Sequence, residues 1–292
     1  MLHRNAITAI ALTTMSVMIG LVMIGLATIA QAHDESKYPD WSGQWIRVPD
    51  GGPPRYDTTK PLRKQEAPLK PEYQALFEAS LKDIDLGGFG LDTHYACMPT
   101  GMPRQMSGVS RFEFLFGTGV THIVFEDMTL APRRIYTDGR DWPKDLKDRE
   151  PTFVGYSLGK WLDTDGDGRY DTFEIETRHV RGPRTWDQTG LPMATDNEAV
   201  FKERIYLDKA NPGILHDEIT STDNSLTRPW TVTKNYRRQP GAVTWEENNC
   251  VEGNAYITIN KQVYVVSGDG LLMPLKKDQP PPDLKYFRQT RK

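Results

Sequence analysis

The chain has 292 residues, 38% of them hydrophobic and 26% charged, with 39 acidic against 36 basic side chains and a formal net charge of -3. That length and apolar content suffice for a sizeable core. The mild negative balance offers no basic excess to neutralise phosphates, so nucleic acid is not expected as a partner.

Residues 1–32 read as a signal peptide. Arg4 supplies positive charge, a charge-free apolar run extends from Ala6 to Ala30, and Ala30-Gln31-Ala32 gives the small-x-small pattern that signal peptidase cuts. The run is also long enough to span a bilayer as a helix, so a retained anchor is the alternative. Either reading puts the rest of the chain outside the cytoplasm, in the periplasm or secreted from a bacterium. No second apolar run is long enough to cross a membrane, so no span is expected after cleavage. In that oxidising setting the two cysteines, Cys97 and Cys250, are expected to form a disulfide, with two buried free thiols as the alternative.

Residues 33–110 form an N-terminal irregular segment, rich in Pro, Gly and charge up to residue 70, with a short strand over Trp45–Val48. Lys70–Asp83 is its one helix: Pro71 suits a first turn, and Tyr73, Leu76, Phe77 and Leu81 recur at helical spacing. From Arg111 the period changes. Residues 111–117 and 120–126 alternate across a short Gly-containing turn, which is a hairpin pattern. Further strand-like runs follow at 133–138, 154–162, 170–178, 200–207, 214–222, 230–236, 243–247 and 255–259. Many strands at close spacing with almost no intervening helix argue against βαβ units. The expected fold is therefore mainly β: a single antiparallel β-barrel or sandwich over residues 111–292, continuous with the N-terminal segment.

The sharpest motif is the stretch from Asp163 to Glu174. Asp163, Asp165 and Asp167 offer hard oxygens at positions 1, 3 and 5 of a twelve-residue calcium loop. Gly168 permits the turn, and the Arg169 carbonyl, Asp171 and Glu174 complete the set. Both flanks read as strands, so the loop would join a hairpin, and its calcium would be structural. An Asp/Gly-rich turn without metal is the alternative. No organic cofactor is expected, since the chain has no phosphate-binding loop, dinucleotide fingerprint, HExxH helix or CxxC.

Alternation places His216 and Glu218 on one strand face and Asp217 on the other, making the first two a candidate acid–base pair. A hydrogen-bonded structural histidine is the competing reading. Arg134 and Tyr136 likewise share a face and are candidate ligand contacts, Arg through its planar fork for a carboxylate. Trp230, after Arg228-Pro229, either edges a ligand pocket or seals one end of a barrel. The methionines at 98, 102 and 106 lie in a proline-containing loop and read as core packing rather than a copper site.

The blocks at 133–140 (RRIYTDGR), 202–209 (KERIYLDK), 215–220 (LHDEIT) and 226–236 (beginning LTRPWTV) resemble a family of exported proteobacterial proteins. The resemblance spans most of the chain after residue 32 and implies a single domain, with no particular activity. Gly43-Gln44-Trp45 is similar to the G-x-W that opens lipocalin-like barrels, and implies an up-and-down barrel with an interior cavity. On these grounds the chain is expected to bind a small apolar or amphipathic molecule. Two other readings stand beside it. One is a cofactor-independent isomerase, lyase or hydrolase using His216 and Glu218 inside the barrel. The other is a structural envelope protein.

Overall fold

The computed structural model describes residues 34–48, 56, 60–61, 64–86, 88, 90–108, 110–126, 131–245, 256–260, 262–266 and 271–282. The expected signal segment and Cys250 lie outside them. Nine strands follow the chain around a closed barrel: β1 (Trp45–Arg47), β2 (Phe112–Gly117), β3 (Val120–Phe125), β4 (Arg133–Tyr136), β5 (Tyr156–Leu162), β6 (Thr172–Arg178), β7 (Val200–Leu207), β8 (Ile214–Thr222) and β9 (Trp230–Arg238). The short strand near the start of the chain closes the ring, with Trp45 opposite Arg238 in an antiparallel pair. Closure leaves the barrel without an open edge.

A ring of nine strands cannot be antiparallel throughout, because alternating directions close only for an even number. The mismatch falls between β4 and β5, which run parallel with Ile135 opposite Ser157. Parallel neighbours require a crossover between opposite ends of the sheet, and the connection over residues 137–155 supplies it. The barrel is therefore not purely up-and-down.

Alternation sets which side chains enter. On β8, Leu215, Asp217, Ile219 and Ser221 are buried, whereas His216, Glu218 and Thr220 between them are only half-buried. β7 buries Phe201, Glu203 and Ile205, and β9 buries Trp230, Val232, Lys234 and Tyr236. The outer face carries alternating charge across the strands. Lys160 lies opposite Glu174, Glu174 opposite Arg204, and Arg204 opposite Glu218. Such opposite-charge neighbours each contribute about 0.2–1 kcal/mol.

Aromatic rings fill the barrel towards both ends. Beside the β5–β6 loop, Trp161 stacks on Phe173 at 4.2 Å and 7°, and Trp41 lies 5.0 Å from Trp161 and 4.8 Å from Phe114. At the end where β9 begins, Trp230 sits 4.8 Å from Tyr56 and 5.2 Å from Trp186. Gly159 makes room for the first cluster. A Cβ there would come within 2.6 Å of Ile135 and 2.7 Å of the Phe173 ring. Met102 and Met106 are buried in the same core, as expected of packing methionines.

The helix α1 (Pro71–Asp85) forms where the periodicity predicts it, with proline in its first turn. It buries only Ser80. That hydroxyl ties it down, accepting from the Leu91 amide at 2.9 Å and donating to the Thr189 carbonyl at 3.0 Å. After the barrel, β10 (Tyr256–Ile259), β11 (Gln262–Val266) and β12 (Leu272–Pro274) form a separate three-stranded antiparallel sheet. Residues 111–292 are thus not all barrel. The strand expected at 243–247 is absent over its described part, 243–245. No helix among the described residues is long and apolar enough to cross a membrane.

Candidate binding site in the barrel interior

Inward-facing strand positions of the barrel deliver charge to its interior. Arg133 on β4 meets Glu203 on β7 in a two-pronged pair, Nη1 to Oε1 at 2.8 Å and Nη2 to Oε2 at 2.5 Å, with both side chains at 0% exposure. Nη2 also donates to Thr177 Oγ1 at 3.3 Å, and Thr177 Oγ1 lies 2.8 Å from Ser157 Oγ. This parallel-fork arrangement is the strong form of a carboxylate–guanidinium contact. Burial works against the guanidinium charge, but Glu203 outweighs it and raises the Arg133 pKa.

Asp217 enters the same interior from β8, between Ile205 on β7 and Lys234 on β9. It is 0% exposed, and neither carboxylate oxygen has a hydrogen-bond partner. Arg133 Nε is likewise buried without one. Burial, reinforced by the charge of Glu203, pushes the Asp217 carboxyl well above its ordinary value of 3.8, against the pull of Arg133. Tyr236 on β9 is also fully buried. Its hydroxyl donates to the Met106 carbonyl at 2.6 Å, and burial followed by the charges of Asp217 and Glu203 drives its pKa upward. Lys234 Nζ stands 5.4 Å from the ring centres of both Tyr56 and Trp186.

The residues singled out in the sequence fall elsewhere. His216 and Glu218 do share a face, but it is the outer one, because Leu215 and Ile219 take the interior and carry Asp217 in with them. They are therefore not an acid–base pair inside the barrel. His216 Nδ1 is 2.7 Å from Asn235 Oδ1 and its Nε2 is 3.1 Å from Asp208 Oδ2, while Glu218 accepts from the Tyr206 hydroxyl at 2.7 Å. Burial and then Glu218 push Tyr206 up to about 12. Arg134 and Tyr136 also face outward, because Ile135 faces in. Arg134 is exposed, with Nε 3.2 Å from His122 Nε2, and Tyr136 lies under the Arg140 guanidinium at 3.9 Å. The inward arginine is its neighbour, Arg133. Trp230 is buried, and it seals one barrel end with Tyr56 and Trp186. The interior set was within reach of the sequence: apolar residues at odd positions 133–135 and 215–219 assign Arg133 and Asp217 to the core face.

The acidic loop joins β5 to β6, as a hairpin and not between helices. Carboxylate oxygens of Asp163, Asp165 and Asp171 all lie within 4.8 Å of one another. Two oxygens each about 2.3–2.6 Å from a calcium ion are no farther apart than about 5 Å, so the three fit a shared cation. One Asp171 oxygen is buried and unpartnered, while the other accepts from Thr164 N and Oγ1 at 3.1 and 2.7 Å. Asp163 accepts from the amides of Gly166 and Gly168, and Asp167 from that of Arg169. Glu174 does not join the cluster. It lies within β6 on the outer face, opposite Lys160. The loop borders a cleft of about 390 Å³ that Asp165, Asp167, Asp171 and Asp208 also line.

Cys97 is not a free thiol. Its expected partner, Cys250, lies outside the described residues. No family model, curated protein or solved structure matches the chain. Fold and site together define a closed nine-stranded barrel with a buried, partly unsatisfied polar centre.

Proposed function

We propose that this is an exported, periplasmic barrel protein that binds a small apolar or amphipathic molecule in its interior, with structural calcium in the β5–β6 loop and a Cys97–Cys250 disulfide. The observation that supports the binding reading most is the polar centre itself. A barrel serving only as a staple has no need of Arg133, Glu203 and Asp217 at its core. Burying each such ion costs several kcal/mol, and well-packed hydrophobic residues of similar volume are often as stable or more so. Buried, unsatisfied polar atoms and a displaced carboxyl pKa are marks of functional sites. The aromatic rings to either side suit an apolar ligand body.

The same centre favours a second reading. Asp217, a buried carboxyl whose pKa burial and then Glu203 raise, is the kind of group that acts as general acid in a cofactor-free isomerase, lyase or hydrolase. This moves the acid–base role from His216 and Glu218 to the interior.

Native mass spectrometry of the chain, expressed with its own leader and purified from the periplasm, tests the proposal. An added organic mass is expected, together with one calcium that chelator removes. A bare polypeptide mass, with no uptake from a panel of amphipathic compounds, would refute the binding reading. A bound compound that is converted on incubation would select the enzyme.

A further inference from the structure

Asp217 is the least satisfied polar group in the barrel wall facing inward. Its two oxygens are buried and unpartnered, and so is Nε of Arg133, with which it interacts electrostatically. The remaining guanidinium nitrogens are committed to Glu203 and Thr177. Around Asp217 the wall is apolar on two strands, with Ile205 opposite on β7 and Leu215 and Ile219 flanking it on β8, while Lys234 lies opposite on β9. A buried carboxyl with no partner costs more than one that is bonded, so an occupant that bonds to it gains that difference.

Charge narrows the class of occupant. An anion would meet Glu203, to which the Arg133 guanidinium is already committed, while the Lys234 ammonium lies against the Tyr56 and Trp186 rings. A cation would add to Arg133 and Lys234 and would require Asp217 to ionise, buried, beside Glu203. A neutral carboxyl presents one donor and one acceptor. Its complement is a group that accepts once and donates once without carrying charge.

We propose that Asp217 is the head-group subsite of the barrel, and that it receives the uncharged hydroxyl or carboxamide of an otherwise apolar ligand. This rests on the interior-binding reading above and assigns that ligand its polar end.

The test uses the full chain, stripped of any co-purified small molecule, and five probes of matched alkyl length: an alkane, an alcohol, a primary amide, a carboxylate and an alkylammonium. Binding is read from the fluorescence of the buried tryptophans. The alcohol and the amide are expected to bind about tenfold tighter than the other three, the value of a bonded over an orphaned buried group. Asp217→Leu is expected to abolish that preference while keeping the affinity for the alkane. Asp217→Asn keeps a donor and an acceptor in nearly the same volume, and is expected to stay within about threefold of the parent, far less than the loss of a buried bond. Preference for the alkylammonium, lost in Asp217→Asn, would overturn the assignment in favour of an ionised carboxylate. Binding that ignores the head group, unchanged in both variants, would sink the subsite, while interior binding stood. No binding of any probe would sink both.

Discussion

Replacing Asp217 with asparagine separates the cost of this buried carboxyl from its use. The carboxyl is wholly buried and faces Lys234 across the β8–β9 pair, with Arg133 from β4, Glu203 from β7 and Tyr236 from β9 interacting electrostatically. Its folded pKa lies well above 3.8, while in the unfolded chain it returns to about 3.9. Below both values the group is protonated in either state and makes no contribution to pH dependence. Above about 3.9 the unfolded chain releases the proton that the folded barrel keeps, so the folded state binds more protons and stability falls as pH rises. The fall amounts to about 1.4 kcal/mol per pH unit until the folded pKa is reached. Asparagine cannot ionise, so Asp217→Asn is expected to match the parent near pH 4 and to exceed it by a margin that widens at that slope. Urea denaturation of both proteins in steps from about pH 4 to pH 8 measures the gap. A gap that is flat with pH, or a variant less stable than the parent at neutral pH, would refute the argument.

Breaking the interior pair should show the opposite sign. Arg133→Met strands Glu203 without a partner and is expected to cost about 3–5 kcal/mol, whereas Arg133→Met with Glu203→Leu should regain most of that in the same denaturation assay. Gly159→Ala, which drives a methyl into Ile135 and Phe173, is expected to lose about 1–3 kcal/mol; an unchanged urea midpoint would mean the ring moves aside freely. Calcium should raise the melting temperature of the parent and leave Asp165→Ala unmoved, and equal melting of the parent with calcium and with chelator would reduce the loop to a turn. His216→Ala should cost about 1 kcal/mol through its lost hydrogen bonds to Asn235 and Asp208. It should leave ligand affinity and any turnover intact, and a large loss of either would restore His216 to the site.

Local pattern determined much of this protein. Period-two alternation from residue 111 gives the eight later barrel strands, because a strand buried on one face must repeat every second residue. Helical spacing and Pro71 give α1, and the Asp-Gly run gives the hairpin that brings three carboxylates together. The parity of Ile135, Leu215 and Ile219 was enough to send Arg133 and Asp217 inward, and reading Arg134, His216 and Glu218 as interior ran against it. Other features belong to the tertiary structure alone. That a three-residue strand at Trp45 closes the ring, and that β4 and β5 therefore run parallel, depends on how many strands fit around one circumference. That Arg133 finds Glu203 across the barrel, while the Asp217 oxygens are left without a comparable pairing, depends on which distant strands come to face each other. Alternation in one strand says which side chains are buried; only closure of the sheet decides what they meet there.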